Sequence, residues 1–289
     1  MSLTSFLRDN ADVRERFRQE FKKPKFLAKN DIVAPPLTTN YSTVGTAFDY
    51  LLRFFLQHLN PNTIDKGYWV AELAVDLLDE DAKLYAKGGK IVSRAKKDLR
   101  DFLNNGQMSD ALMESALLLA TLDPIYRAGL GHEMIGVVHK DDIQDLKNLI
   151  SAVNKRTFTA KRLCVINPTF GSASDLVGGA DADLVVDDTL IDIKTTKKLT
   201  LERSALNQVL GYYVLHHIAG VGELNPKPAI TKVAIYFSRF GCLYVVPLSE
   251  LVDSTTFPKF VQWFQKRATE AFGSFENGVG DLGLCSTME

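Results

Sequence analysis

DLVVDDTLIDIK, running from Asp183 to Lys194, reads as two short strands around an acidic turn. The runs DLVV and TLIDI are rich in β-branched and apolar residues, and Asp187-Asp188 between them is turn chemistry. With a two-residue loop Val186 pairs with Thr189, and counting outward sets Asp183 opposite Asp192. Strand side chains alternate, so Lys194 shares the face of Asp192 and two acids and a lysine converge on one patch. A three-residue loop would send Asp183 to the other face and dissolve the constellation.

Directly opposed residues of an antiparallel pair have Cβ atoms ~4.5–5.5 Å apart, where like charges destabilise. Two ionised carboxylates that close need a cation between them, or one takes up a proton. A hard divalent ion such as Mg²⁺ or Mn²⁺ meets the first need and keeps positions for phosphate oxygens. Such an ion acidifies a bound water and draws charge from a phosphoryl group, and Lys194 beside it would orient that water or stabilise the charged phosphorus. The chemistry that fits is metal-dependent phosphodiester hydrolysis. The plainer alternative is a surface hairpin in which Lys194 neutralises Asp192 and Asp183 is solvated.

Outward from the hairpin, the periodicity separates two textures. Upstream, residues 1–43 read as an N-terminal arm, with a short basic helix over Asp12–Lys22 and an extended Ala34-Pro35-Pro36 segment. A helix over Thr43–His58 follows, with Phe48, Leu51, Leu52, Phe55 and Leu56 on one side. Residues from about 60 to 160 form a helical insertion, with helical runs beginning at Trp69, Lys90, Ser109 and Asp141; Ser109 is a candidate N-cap and Asp123-Pro124 an end or kink. Downstream, RLCVINP is a strand, GSASDLVGGA a loop, and the hairpin comes next. Thr200 is placed to cap a helix through Ala219; KVAIYFSR and CLYVVPL are strands about a Phe240-Gly241 turn. A helix from Phe257 precedes a loose tail from Gly273. The order implies an α/β fold: a single domain over residues 44–289 with a central mixed sheet flanked by helices and a large helical insertion.

Composition narrows the class. The 289 residues carry 46% hydrophobic content and a formal net charge of -1, which excludes a uniformly basic coat while leaving local basic patches open. Cys164, Cys242 and Cys285 are too scattered for a disulfide framework or a CxxC site, so a reducing cytoplasm is the expected setting. The charged opening residues lack a signal-peptide core, and no run approaches the ~18–20 apolar residues of a membrane span.

The hairpin resembles that of the PD-(D/E)XK nuclease superfamily, which sets an acid on one core strand and (D/E)-x-K on the next, as Asp183 and Asp192-Ile193-Lys194 do here. Gln208 and Tyr212 form the Q-x-x-x-Y pattern of its RecB-type exonuclease branch, four apart and so on one helix face. Upstream, Gly45-Thr46-Ala47-Phe48-Asp49 is similar to that branch's G-x-x-x-H motif, with Asp in the place of the metal-binding His. The resemblance implies a restriction-endonuclease-like core and a Mg²⁺- or Mn²⁺-dependent DNA nuclease, an exonuclease of recombination, repair or phage and prokaryotic defence. It implies metal ligation by Asp183, Asp192, the Ile193 carbonyl and Asp49, catalysis assisted by Lys194, and positioning by Gln208 and Tyr212. No proline precedes the first acid, and Asp181 shares the face of Asp183 as a rival ligand or supporting partner. For Asp49 the alternative is a solvent-facing acid at a helix start. Three scattered cysteines cannot supply the four-cysteine iron–sulfur cluster of some relatives, and no GxxxxGK[ST] motor loop is present.

Basic pairs at Lys155-Arg156, Lys161-Arg162 and Lys197-Lys198, and the run Arg94, Lys96, Lys97 and Arg100, would hold phosphates by charge or form ordinary solvated faces. Tyr41, Tyr212 and Tyr213 are candidates for base stacking, with Tyr213 the more core-like. His216-His217 and His132-Glu133 lack zinc-site spacing. Two other classes compete: a catalytically silent nucleic-acid-binding or assembly protein on the same fold, and a hydrolase of small phosphoesters.

Overall fold

The computed structural model describes residues 2–129 and 132–276. Helices α1 (Leu3–Asp9) and α2 (Ala11–Glu20) open the chain, and α3 (Tyr41–Leu59) follows an extended segment. The helical region read as an insertion holds α4 (Val70–Asp76), α5 (Ala82–Asn105), α6 (Asp110–Ala120), α7 (Asp123–Ala128), α8 (Lys140–Ser151) and the single turn α9 (Lys155–Phe158). The sheet region runs β1 (Cys164–Ile166), α10 (Ser172–Asp175), β2 (Leu184–Val186), β3 (Thr189–Lys194), α11 (Arg203–Ala219), β4 (Lys232–Phe237), β5 (Cys242–Pro247), α12 (Leu248–Leu251) and α13 (Phe257–Glu276).

The five strands lie in the order β1-β2-β3-β4-β5. Only the β3–β4 pair is parallel, because α11 carries the chain back between them; the other pairs are antiparallel. Both sheet faces are covered, so the strands read as nearly continuous apolar runs. Cys164, Ile166, Leu184, Val186, Ile191, Ala234 and Tyr236 pack toward α3 and the insertion. Val165, Val185, Leu190, Val233, Ile235 and Phe237 pack toward α11, α13 and the first two helices. The class is α/β with a mixed open sheet and flanking helices, as the element order predicts.

Several boundaries differ from the sequence reading. The segment read as an arm contributes Leu3, Phe6, Leu7, Val13, Phe17 and Phe21 to the core, and α1 is a helix the periodicity did not reveal because it spans only two turns. The run from Trp69 breaks at Leu77, and α5 restarts behind the Asp81 cap, whose carboxylate accepts from the N–H groups of Lys83 and Leu84 (3.0 Å each). Gly88 then lies against Val75: a Cβ there would sit 2.7 Å from Cγ2 of that valine, so the close approach of α5 to α4 uses the missing side chain. Ser109 does cap α6, accepting from Leu112 N–H at 3.2 Å. Thr200 does not cap α11; Glu202 occupies that position, and the Thr200 hydroxyl donates to its carboxylate instead. The glycine-rich loop before β2 contains the turn α10. Helix α13 continues through Gly273 to Glu276, and the remainder of the expected tail lies outside the described residues.

The extended segment before α3 is held at depth. The Arg239 guanidinium donates to Asp145 (2.7 and 3.1 Å) and to the Ala34 carbonyl (3.0 Å), while Val33 and Ala34 N–H groups donate to the Arg239 carbonyl (2.9 and 3.0 Å). Both ionic side chains are essentially inaccessible, so one buried pair joins the β4–β5 connection, insertion helix α8 and the Pro35-Pro36 segment. Among the described residues no helix is long and apolar enough to cross a membrane.

Candidate active site

The hairpin adopts the two-residue turn. Val186 pairs with Thr189 and Leu184 with Ile191, which sets Asp183, one residue before β2, opposite Asp192. Asp187 supplies the left-handed step, φ +53°, that a tight hairpin asks for. Its carboxylate accepts from the N–H groups of Lys161, Arg162 and Leu163 (2.7–3.2 Å), and Asp188 pairs with Lys232 at 3.1 Å. The two turn acids therefore lock the register from both sides. Asp183 itself accepts from the Ile193 N–H at 2.5 Å, fixing its carboxylate against the neighbouring strand.

Lys194 reaches back along its own strand. Its Nζ lies 2.8 Å from Asp192 Oδ2 and donates to Gln208 Oε1 at 3.0 Å; Gln208 Nε2 in turn donates to the Tyr212 hydroxyl at 3.0 Å. Gln208 and Tyr212 are one turn apart on α11, which packs on this face of the sheet. A chain of contacts thus runs Asp192–Lys194–Gln208–Tyr212. Tyr212 is buried and stacks on Phe170 (centroids 5.8 Å apart), so it is not open for base stacking. Tyr213 stacks on Phe257 as part of the core margin.

The electrostatics are those of carboxylates taken out of water. Burial, then the charges of Asp192 and Asp49, push the Asp183 carboxyl well above its ordinary value of 3.8. Asp192 is also raised by burial, although Lys194 opposes the shift. Burial alone would depress Lys194, but Asp192 and Asp183 more than compensate and hold it above 10.5, as a cation at neutral pH. The two aspartates titrate as a pair and together retain a proton into the range where an exposed carboxyl has lost it.

Asp49 lies in the middle of α3, not at its start, because the helix begins eight residues earlier at Tyr41. Its Oδ2 pairs with Arg53 at 2.6 Å, and the guanidinium of that buried arginine sits 4.5 Å from the centroid of the Tyr50 ring. The Tyr50 hydroxyl donates to Asp123 Oδ1 at 2.8 Å, tying insertion helix α7 to the same cluster. Arg53 escapes a motif search, although the spacing Asp49–Arg53 is that of an i,i+4 ion pair on one helix face. Asp181 is engaged elsewhere. Asn167, with its amide oriented to satisfy both neighbours, donates to Asp181 (2.9 Å) and accepts from Lys66 (3.1 Å).

Asp49 Oδ1 and both oxygens of Asp192 are buried without a hydrogen-bond partner. The Lys194 ammonium is close to Asp192 yet not aimed along a hydrogen-bond direction. Among the described residues no three His, Cys, Asp or Glu side chains are grouped tightly enough to enclose a metal ion. A hard divalent ion needs less than that, one or two carboxylates with water completing its shell, and buried carboxylate oxygens, two of them (Asp49 Oδ1 and Asp192 Oδ1) without a hydrogen-bond or ionic partner, are the donor chemistry it takes. The residues present fit such an ion.

The basic clusters divide. Arg94 pairs with Glu114 (2.6 Å) and Lys96 with Glu72, so two cations of that run are engaged within the insertion, while Lys97 and Arg100 are exposed. Lys197 donates to the Tyr41 hydroxyl (3.1 Å) and lies over its ring. Lys198 lines a groove of about 710 Å³ that Lys194 and Gln208 also border. Cys164 and Cys242 are free thiols. Compared with protein-family models, with curated proteins and with solved structures, the chain matches none.

Proposed function

We propose that this protein is a metal-dependent nuclease that hydrolyses phosphodiester bonds, with DNA as its substrate. The observation that carries the reading is the pair of opposed aspartates, Asp192 buried with Oδ1 unpartnered and Oδ2 2.8 Å from a lysine whose ammonium is fixed by Gln208. Burying two carboxylates against each other costs stability, and a structural hairpin gains nothing from it. A site that receives a divalent cation does gain. The resemblance to the PD-(D/E)XK superfamily points the same way, with Asp183, Asp192, the Ile193 carbonyl and Asp49 as the residues that would hold Mg²⁺ or Mn²⁺.

When bound, the ion supplies an acidified water and charge neutralisation at the phosphoryl group. The remaining work falls to the chain. Lys194 stays protonated, so it acts as a fixed positive charge toward the developing negative charge on phosphorus and not as a base. Gln208 Oε1 accepts a hydrogen bond from one ammonium N–H and thereby sets the direction of the others. Tyr212 anchors Gln208 from below, and burial keeps its hydroxyl protonated. Asp183, pinned by the Ile193 N–H, needs no reorientation when it loses its proton.

The test incubates wild type and Lys194→Ala with linear and circular DNA, single- and double-stranded, in Mg²⁺, Mn²⁺ or EDTA. Cleavage that requires the ion and is lost in the variant supports the reading, and sparing of circles identifies an exonuclease. No cleavage of any substrate, or equal cleavage by both proteins, overturns it.

A further inference from the structure

The groove beside Lys194 and Gln208 is bordered by α1 and α2 on one side and by the start of α11 on the other. Six cations line it, Arg8, Arg14, Arg18, Lys194, Lys198 and Arg203, against the single carboxylate of Glu202. The whole chain is almost neutral at -1, so this is a local concentration of charge and not a general property of the surface. The neighbouring acids do little to cancel it. Asp9 and Glu15 pair with Arg8 and Arg18 (2.7 and 2.9 Å), but all four side chains are more than half exposed, and such pairs exchange readily for another anion.

Two polar atoms in the groove wall lack partners. Arg203 spends one nitrogen on the Phe17 and Phe21 carbonyls (2.7 and 2.9 Å), closing α2 onto α11, while its Nε is buried with no acceptor. Asn207 is 5% exposed and its Oδ1 is buried with no donor. The first turn of α11, whose N-cap Glu202 makes no side-chain cap bond, borders the same space, and the N–H groups of a helix's first turn favour an anion. Phosphate oxygens would satisfy the arginine and the helix N–H groups; a sugar hydroxyl or base amine would satisfy Asn207.

We infer that this groove seats a single strand of nucleic acid and leads its backbone to the phosphate cut at Asp183, Asp192 and Lys194. The inference rests on the nuclease reading for that last step. Size favours the strand: about 710 Å³ falls within the ~300–1,000 Å³ of pockets that enclose small ligands, room for a few nucleotides of one strand. The arginines hold phosphates by charge without reading sequence.

The experiment measures binding without turnover, by fluorescence anisotropy of a labelled oligodeoxynucleotide, single-stranded or as a blunt duplex, in EDTA. The variant combines Arg14→Glu, Arg18→Glu and Lys198→Glu, all exposed positions, and Lys140→Glu on α8 serves as the charge control. Single-strand affinity is expected to fall at least about tenfold in the triple variant and less than about twofold in the control. The salt slope is expected to shrink by about 0.7 for each phosphate no longer neutralised. Matching thermal melts exclude unfolding as the cause. Unchanged affinity in the triple variant, no single-strand binding by wild type, or tighter binding of the duplex overturns the groove assignment. Cleavage is assayed separately with Mn²⁺. An active triple variant with unchanged binding defeats the groove and spares the nuclease reading; arginine-dependent binding without cleavage by wild type does the reverse.

Discussion

The Lys194 ammonium sits 2.8 Å from the Asp192 carboxylate, yet its directed hydrogen bond goes to Gln208 at 3.0 Å. Position and charge are thereby supplied by different partners. Asp192 keeps the ammonium protonated, and Gln208 decides where it points. Breaking one leaves the other in place, so the two contributions separate by mutation.

Gln208→Leu is therefore expected to lower kcat for DNA cleavage by about tenfold to a hundredfold with little change in KM, since the positive charge survives without its orientation. Tyr212→Phe removes only the support of Gln208, and a net hydrogen bond of ~0.5–1.5 kcal/mol limits its effect to about tenfold. Steady-state kinetics with a pH profile check both. The alkaline limb of Gln208→Leu is expected to match wild type, because Asp192, which holds the lysine proton, is untouched.

Asp183 makes stability depend on pH in a fixed direction. Its folded carboxyl lies well above 3.8, and the unfolded one ionises near that value. Between the two the folded state holds a proton that the unfolded state has released, so stability is fully present below 3.8 and is lost as pH rises toward the folded value. Asp183→Asn removes this dependence. In EDTA the variant is expected to have a higher urea midpoint than wild type at about pH 7 and to converge with it near pH 4. A variant less stable than wild type at neutral pH would contradict the assigned direction.

Metal binding gives a readout that needs no substrate. Mn²⁺ is expected to raise the melting temperature of wild type, because an ion bound by the folded state alone stabilises it by about 2.7 kcal/mol at a hundred times its Kd. Asp192→Asn abolishes that rise and Asp49→Asn reduces it, whereas Asp181→Asn, whose carboxylate is engaged by Asn167, retains it. EDTA reverses the wild-type shift. Differential scanning fluorimetry with and without the ion makes the comparison.

Arg239 and Asp145 bind the insertion to the sheet, and neither side chain is accessible. Arg239→Met strands a buried carboxylate and the Ala34 carbonyl, with an expected loss of about 3–5 kcal/mol. Chemical denaturation measures it. The double variant Arg239→Met with Asp145→Leu is expected to recover much of that loss, since the stranded charge is gone.

The hairpin and the helix above it were legible because their rules are local. A two-residue turn fixes the register, strand alternation fixes the faces, and a four-residue spacing aligns Gln208 with Tyr212. The strands after α11 were legible for the same reason. Helix ends were less so: Thr200 has the side chain of a cap, yet α11 begins behind Glu202, which makes no side-chain cap bond, where Arg203 reaches the carbonyls at the end of α2.

By itself, then, the sequence determined an α/β chain with a mixed sheet and a patch where Asp183, Asp192 and Lys194 meet, since turn length and side-chain periodicity act over a dozen residues. The sequence favoured Asp183 over Asp181 as the acid opposite Asp192, and only the tertiary structure gave the two different partners, the Ile193 N–H and Asn167. It alone brought Arg53 and Asp49 beside Asp123, joined Arg239 to Asp145, and turned Arg14 and Arg18 of the basic helix, with Arg8 of α1, into one wall of a groove. Those relationships link residues far apart in the chain, where no spacing rule operates and only the packing of one apolar face against another decides which charges become neighbours.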